Sequence, residues 1–187
     1  MVVAAAGNVE HDEVRRLLLE KQQMAAERAA ERTRTVAQPK PCRRFLGKET
    51  EQMHVCFGGV GLARNDERRF QLSVLDSLFG GSLSSRLFQE VREKRGLVYS
   101  VYSFANLYHE TGLVGLYFGC RPERLGTVVE TVGRELQRLV REPVPAEELQ
   151  RAKEHLKGRM ILGLESTSSR MNRLGKGVIT GTEILSL

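Results

Sequence analysis

A chain of 187 residues with 41% hydrophobic and 28% charged side chains has room for one core and a piece of a neighbour, and its composition excludes global disorder. The net charge of +6 admits an acidic partner, yet cations and acids interleave, as in Glu90-Val91-Arg92-Glu93-Lys94-Arg95. That pattern reads as solvated helix surface and weighs against nucleic acid. Cys42, Cys56 and Cys120 are odd in number and widely spaced, which excludes a disulfide framework and a zinc knuckle and fits reduced thiols in the cytoplasm. No apolar run approaches the roughly 18 residues of a membrane span.

In chain order, residues 2–6 read as a buried strand turned by Gly7-Asn8. The segment is too short, and lacks the basic start, for a signal peptide. An amphipathic helix follows from about Glu10, with Val14, Leu17, Leu18, Met24 and Ala25 on one face. Its stripe fades by Gln38-Pro39-Lys40-Pro41, where two prolines mark a linker. A strand and one helix do not make a core. Residues 1–35 are therefore expected to be the tail of a domain whose body lies upstream, the linker to run to 41, and 42–187 to form the following domain, truncated at its end.

Beyond the linker, Arg43–Leu46 and Gln52–Leu62 are predicted strands, and Phe70, Val74, Leu75, Leu78 and Phe79 mark a helix over 67–79. Gly80-Gly81 is expected to stop it through a left-handed cap. Serines 82, 84 and 85 can cap a short helix at 85–94, which Gly96 ends. Two strands, 97–106 and 112–120, follow as a hairpin, the second alternating Val114, Leu116, Phe118 and Cys120 on one face. Helices are predicted at 123–140, from Pro145, and from Ser166–Ser169 to about Val178. This order implies an α+β two-layer sandwich, a mainly antiparallel sheet with helices on one face.

The densest signal is Ser84-Ser85-Arg86-Leu87-Phe88, then Val91-Arg92, then Gly96-Leu97-Val98-Tyr99. It puts an arginine on the last turn of a helix and a tyrosine seven residues later at a strand entrance. With Gly80-Gly81 and the order of elements, this run resembles the insulinase/pitrilysin family of zinc peptidases, in its mitochondrial processing peptidase-like subgroup. Val2–Val14 is similar to the Gly-Asn-(hydrophobic)-x-His ending of that family's zinc-bearing half, and 42–187 to most of the half that follows. The family's His-x-x-Glu-His metal motif is absent from the sequence.

The resemblance implies a parent that is a zinc metalloendopeptidase, hydrolysing peptide bonds with zinc-activated water. Arg92 and Tyr99 match the arginine and tyrosine that hold substrate backbone across the cavity from the metal. Arginine stays charged and donates in a fixed fork, and a tyrosine hydroxyl donates at neutral pH. In isolation, Arg92 would read as a solvated helix charge and Tyr99 as a strand aromatic. The chain itself is expected to hold no zinc, to carry no catalytic residue and to be inactive alone. Expected partners are a peptide or unfolded polypeptide, the zinc-bearing half of the same or a partner chain, and a second parent copy in a homodimer. Neither nucleic acid nor a membrane is expected.

Arg151-Ala152-Lys153-Glu154-His155 comes near the metal motif, but an arginine cannot lose its proton to bind zinc. His11, His54 and His109 lie far apart in sequence. Phe57-Gly58-Gly59-Val60-Gly61-Leu62 lacks the lysine and third glycine of a phosphate loop and reads as a strand end. The alternative function is a non-catalytic, processing-peptidase-like scaffold subunit. A weaker one, a basic nucleic-acid-binding domain, lacks any aromatic-basic motif.

Overall fold

The computed structural model describes residues 2–21 and 39–184. By contacts, 39–158 form one compact unit, while 2–21 group with 159–184 in another.

In the larger unit, β1 (Met53–Gly61), β2 (Ser100–Leu107) and β3 (Gly112–Cys120) form an antiparallel sheet in the order β1-β3-β2. The register places Val55 and Val101 on either side of Phe118, so the three share a face. Period-2 alternation along β3 then puts Leu116 and Cys120 beside Phe118. Against this face pack α2 (Arg69–Phe79), a short helical segment at Phe88–Glu93, and α3 (Leu125–Arg141), which is preceded by a 3₁₀ turn at Pro122–Arg124. The core joins Phe79, Leu87, Val91, Leu97, Val98 and Val101 to Leu116, Phe118, Val128 and Val132. Leu87, Val91, Phe118 and Val128 have no exposed surface. Such burial contributes about 1.5–3 kcal/mol per large side chain. The larger unit is thus the two-layer α+β arrangement expected from the sequence.

Two expectations change. Arg43–Leu46 forms no strand, and Phe45 and Leu46 there are exposed. Gly80 ends α2 without a left-handed cap, its φ being −150°. Glycine is needed for a different reason: a Cβ there would overlap the backbone nitrogen of Ser103 on β2. The amides of Gly80 and Gly81 both donate to the Asp76 carbonyl, at 3.0 and 2.7 Å. The Ser103 hydroxyl donates to Asp76 Oδ1 at 2.5 Å, tying the helix end to the sheet.

In the smaller unit, α1 (His11–Lys21) follows the extended residues 2–6, which join no ladder among the described residues. The expected strand there is therefore not formed, because pairing needs a neighbouring backbone and none of the described strands supplies it. Met24 and Ala25, predicted on this helix, lie outside the described residues. An open groove lined by Val3, Val9, Val14 and Leu18 runs along the apolar side of α1. α4 (Ala146–Gly163) begins in the larger unit and ends in the smaller. α5 (Thr167–Thr180) starts at Ser166, whose hydroxyl accepts from the Ser169 amide, and stops at Gly181 with φ +62°. Thr182 N–H donating to the Gly177 carbonyl at 3.0 Å completes a Schellman-type end.

Candidate functional site

The segment from Ser85 to Tyr99 is built by local rules that a sequence displays only in part. The Ser85 hydroxyl accepts from the Phe88 amide at 3.4 Å and caps the turn. From Phe88 to Glu93 the helix widens into a π-helix. Lys94 N–H accordingly donates five residues back, to Gln89, at 2.9 Å. Single π turns of this kind are frequent at functional sites, because the extra residue re-aims the side chains beyond it. Gly96, at φ +56°, reverses the chain, and Leu97 N–H donates to the Val91 carbonyl at 3.0 Å. Leu97 and Val98 are buried and anchor the return, while Tyr99 remains 73% exposed at the entrance to β2.

This reversal brings the two expected site residues together. The Arg92 guanidinium carbon lies 5.4 Å from the centre of the Tyr99 ring and 4.7 Å from that of Phe88. Both distances are within cation–π range. Its nearest carboxylate is Glu93, at 3.9 Å. The neighbouring cations are held elsewhere. Glu90 accepts from Lys94 Nζ and Arg95 Nη1, each at 2.5 Å. These bonds, Lys94 first, lower the Glu90 pKa. Arg92, 38% exposed, thus lies over two rings and outside the Glu90 pairs.

A second ion pair supports the turn. Arg86 meets Glu148 of α4 in a fork, Nε to Oε1 at 2.7 Å and Nη2 to Oε2 at 2.8 Å. The side chains are only 10% and 21% exposed. The hydrogen bond to Arg86 lowers the Glu148 pKa. Glu135 and Arg138 of α3 pair beside them at 3.2 Å.

Sequence reasoning missed a cluster on the opposite face of the sheet. Tyr102 and Tyr117 are register partners with ring centres 4.9 Å apart. The Tyr117 hydroxyl shares a hydrogen bond of 2.7 Å with His54 Nδ1. The hairpin register, counted back from its connection, was the signal that pairs the two tyrosines. His54 arrives from β1, far away in sequence.

Among the described residues no three His, Cys, Asp or Glu side chains come together as a ligand set. His54 is engaged by Tyr117, and Glu154, next to His155, accepts from Gln150 and Lys157.

The model of the peptidase M16 inactive domain matches residues 1–156. The chain belongs to this insulinase-type, M16 family, and to its inactive-domain class. An uncharacterized zinc protease of Streptomyces coelicolor is 43% identical over 199 residues, which take in 100% of this chain and 42% of that protein. An uncharacterized zinc protease of Bacillus subtilis is 46% identical over 129 residues, 69% of this chain and 32% of that one. Among solved structures, a protease from Helicobacter pylori superposes with a TM-score of 0.81 at 18% identity, covering 94% of this chain and 44% of that chain. This last likeness is one of fold. The chain spans less than half the length of the curated relatives it matches.

Proposed function

We propose that the parent protein is a zinc metalloendopeptidase of processing-peptidase-like type, and that this chain forms the wall of its substrate chamber. In this reading Arg92 and Tyr99 grip the backbone of the peptide being cut. Residues 1–35 are the tail of the preceding, zinc-bearing half, which supplies the metal and the general base. The substrate is a peptide or unfolded polypeptide, and the parent works as a homodimer in the cytoplasm. Free thiols at Cys42, Cys56 and Cys120 suit that compartment. No helix among the described residues is long and apolar enough to cross a membrane.

One observation carries the reading: a π-helical turn and a left-handed glycine set Arg92 against Tyr99 at an exposed edge of the sheet. The two rings flanking the guanidinium limit its rotamers, so less entropy is lost when it meets a carbonyl. The Tyr99 hydroxyl supplies a second donor from the same lip. Two fixed donors aimed at a carbonyl hold the peptide in one pose and favour charge developing on its oxygen.

Kinetics of the full-length parent test this. Tyr99→Phe removes only the hydroxyl and should lower turnover by about 10²–10³ if it reaches the developing oxyanion. Arg92→Ala should do likewise, with fold and metal content unchanged. Arg95→Ala, which breaks only the contacts to Glu90, is the internal control. Tyr99→Phe near neutral, with Arg92→Ala no worse than Arg95→Ala, would replace the peptidase-wall reading with a scaffold subunit.

A further inference from the structure

The ladder between β2 and β3 begins at Ser100 opposite Gly119, so the strands part just before it. The parting opens a cleft of about 370 Å³ between the 96–99 return and the end of β3. Its lining includes Gln52, Tyr99, Gly119, Arg121 and Arg124, together with residues 96–98. Among the described residues no acidic side chain lines it; Glu123, on the same turn as the two arginines, stands outside the lining. Neither Arg121 nor Arg124 pairs with a carboxylate of any described residue, in contrast to Arg68, Arg86, Arg95 and Arg138. Both residues precede α3, with Arg124 at its N-cap position, the end of the helix where the dipole is positive. Like charges at such a place are stabilised by an anion, and none is supplied from the described residues. Gln52 adds an amide donor on the β1 side.

We infer that this cleft is a subsite for a carboxylate of the bound peptide, held by Arg121 and Arg124 beside Tyr99. The inference deepens the proposed substrate-wall function and rests on it for the identity of the ligand as a peptide. An acidic side chain and a free C-terminus present the same group, and a guanidinium fork binds either in two parallel hydrogen bonds. The cleft would then select peptides with a carboxylate a short distance from the bond gripped at Arg92 and Tyr99.

Binding to the 187-residue chain, without cleavage, tests it. Two pairs of fluorescent peptides are compared by anisotropy at low salt. In one pair, blocked at both ends, a central Glu is replaced by Gln; in the other, otherwise neutral, a free C-terminus is replaced by its amide. Backbone amide shifts of 96–99 and 119–124 locate the contact. At least one acid should bind about two- to fivefold tighter than its neutral twin, as expected for exposed charge pairs. Whichever pair shows the difference identifies the source of the carboxylate. The double variant Arg121→Gln/Arg124→Gln should erase the preference, with an unchanged circular dichroism spectrum because both side chains are exposed. Equal affinity within both pairs, a preference that survives the double variant, shifts confined to other residues, or no binding at millimolar peptide would each overturn the subsite. The two readings part cleanly. Loss of the grip hypothesis shows in the parent's turnover, whereas the carboxylate preference is read from binding alone.

Discussion

At the residue scale, the Arg86–Glu148 pair is a measurable element of the site's support. Glu148 has its pKa lowered below the ordinary 4.5 chiefly by the hydrogen bond to Arg86. A carboxylate with a depressed folded-state pKa contributes stability that is fully present above its unfolded pKa. That stability is lost as pH falls through the lower, folded value. The chain should therefore lose stability below about pH 4.5, and Glu148→Gln should flatten that part of the profile. At neutral pH the same variant should cost about 1–3 kcal/mol, because it leaves a largely buried guanidinium with a weaker partner. Chemical denaturation of the two proteins from pH 3 to 7 checks both statements. An acid limb identical in the variant would assign the loss to other carboxylates. Asp66, lowered to about 2 by its bonds with Arg68, titrates on the same side, but its partner Arg68 is exposed and the pair adds little.

At the element scale, the return from the π-helical segment to β2 depends on Gly96. Its φ of +56° is a conformation an L side chain adopts at a cost of about 1–2 kcal/mol. No heavy atom lies within 4 Å of a Cβ placed there, so backbone strain alone would act. Gly96→Ala should therefore destabilise the chain by about that amount and lower the parent's turnover by displacing Tyr99 from Arg92. Gly96→Asn, which tolerates the left-handed region better, should recover part of both losses. Gly80→Ala probes a different mechanism. Overlap with the Ser103 backbone forces α2 away from β2, and the expected cost is about 1–3 kcal/mol. Thermal unfolding of the three variants ranks the effects; an unshifted midpoint for Gly80→Ala would refute the close-approach argument. Gly80 and Gly96 look alike in the sequence as helix stops. Only the backbone geometry shows that one answers to torsion and the other to a neighbouring strand.

At the scale of the whole molecule, the division between what was legible and what was not follows the range of the interactions. The sequence by itself determined the α+β class, the helices from Arg69, Leu125, Ala146 and Thr167, and the hairpin of Ser100–Leu107 with Gly112–Cys120. These follow from apolar periods and from turn residues acting over a few positions. Through its resemblance to the family's substrate-holding segment, the run from Ser84 to Tyr99 also drew attention to Arg92 and Tyr99, and the structure sets their side chains against each other. The tertiary structure alone decided which faces met. Long-range pairing brought His54 to Tyr117, joined Arg86 to Glu148, and opened the cleft that gathers Gln52, Tyr99, Arg121 and Arg124. Residues 2–6 and Arg43–Leu46 show the same limit from the other side. Their strand-like composition was real, but a strand exists only where a second backbone offers its hydrogen bonds, and local composition carries no information about that partner.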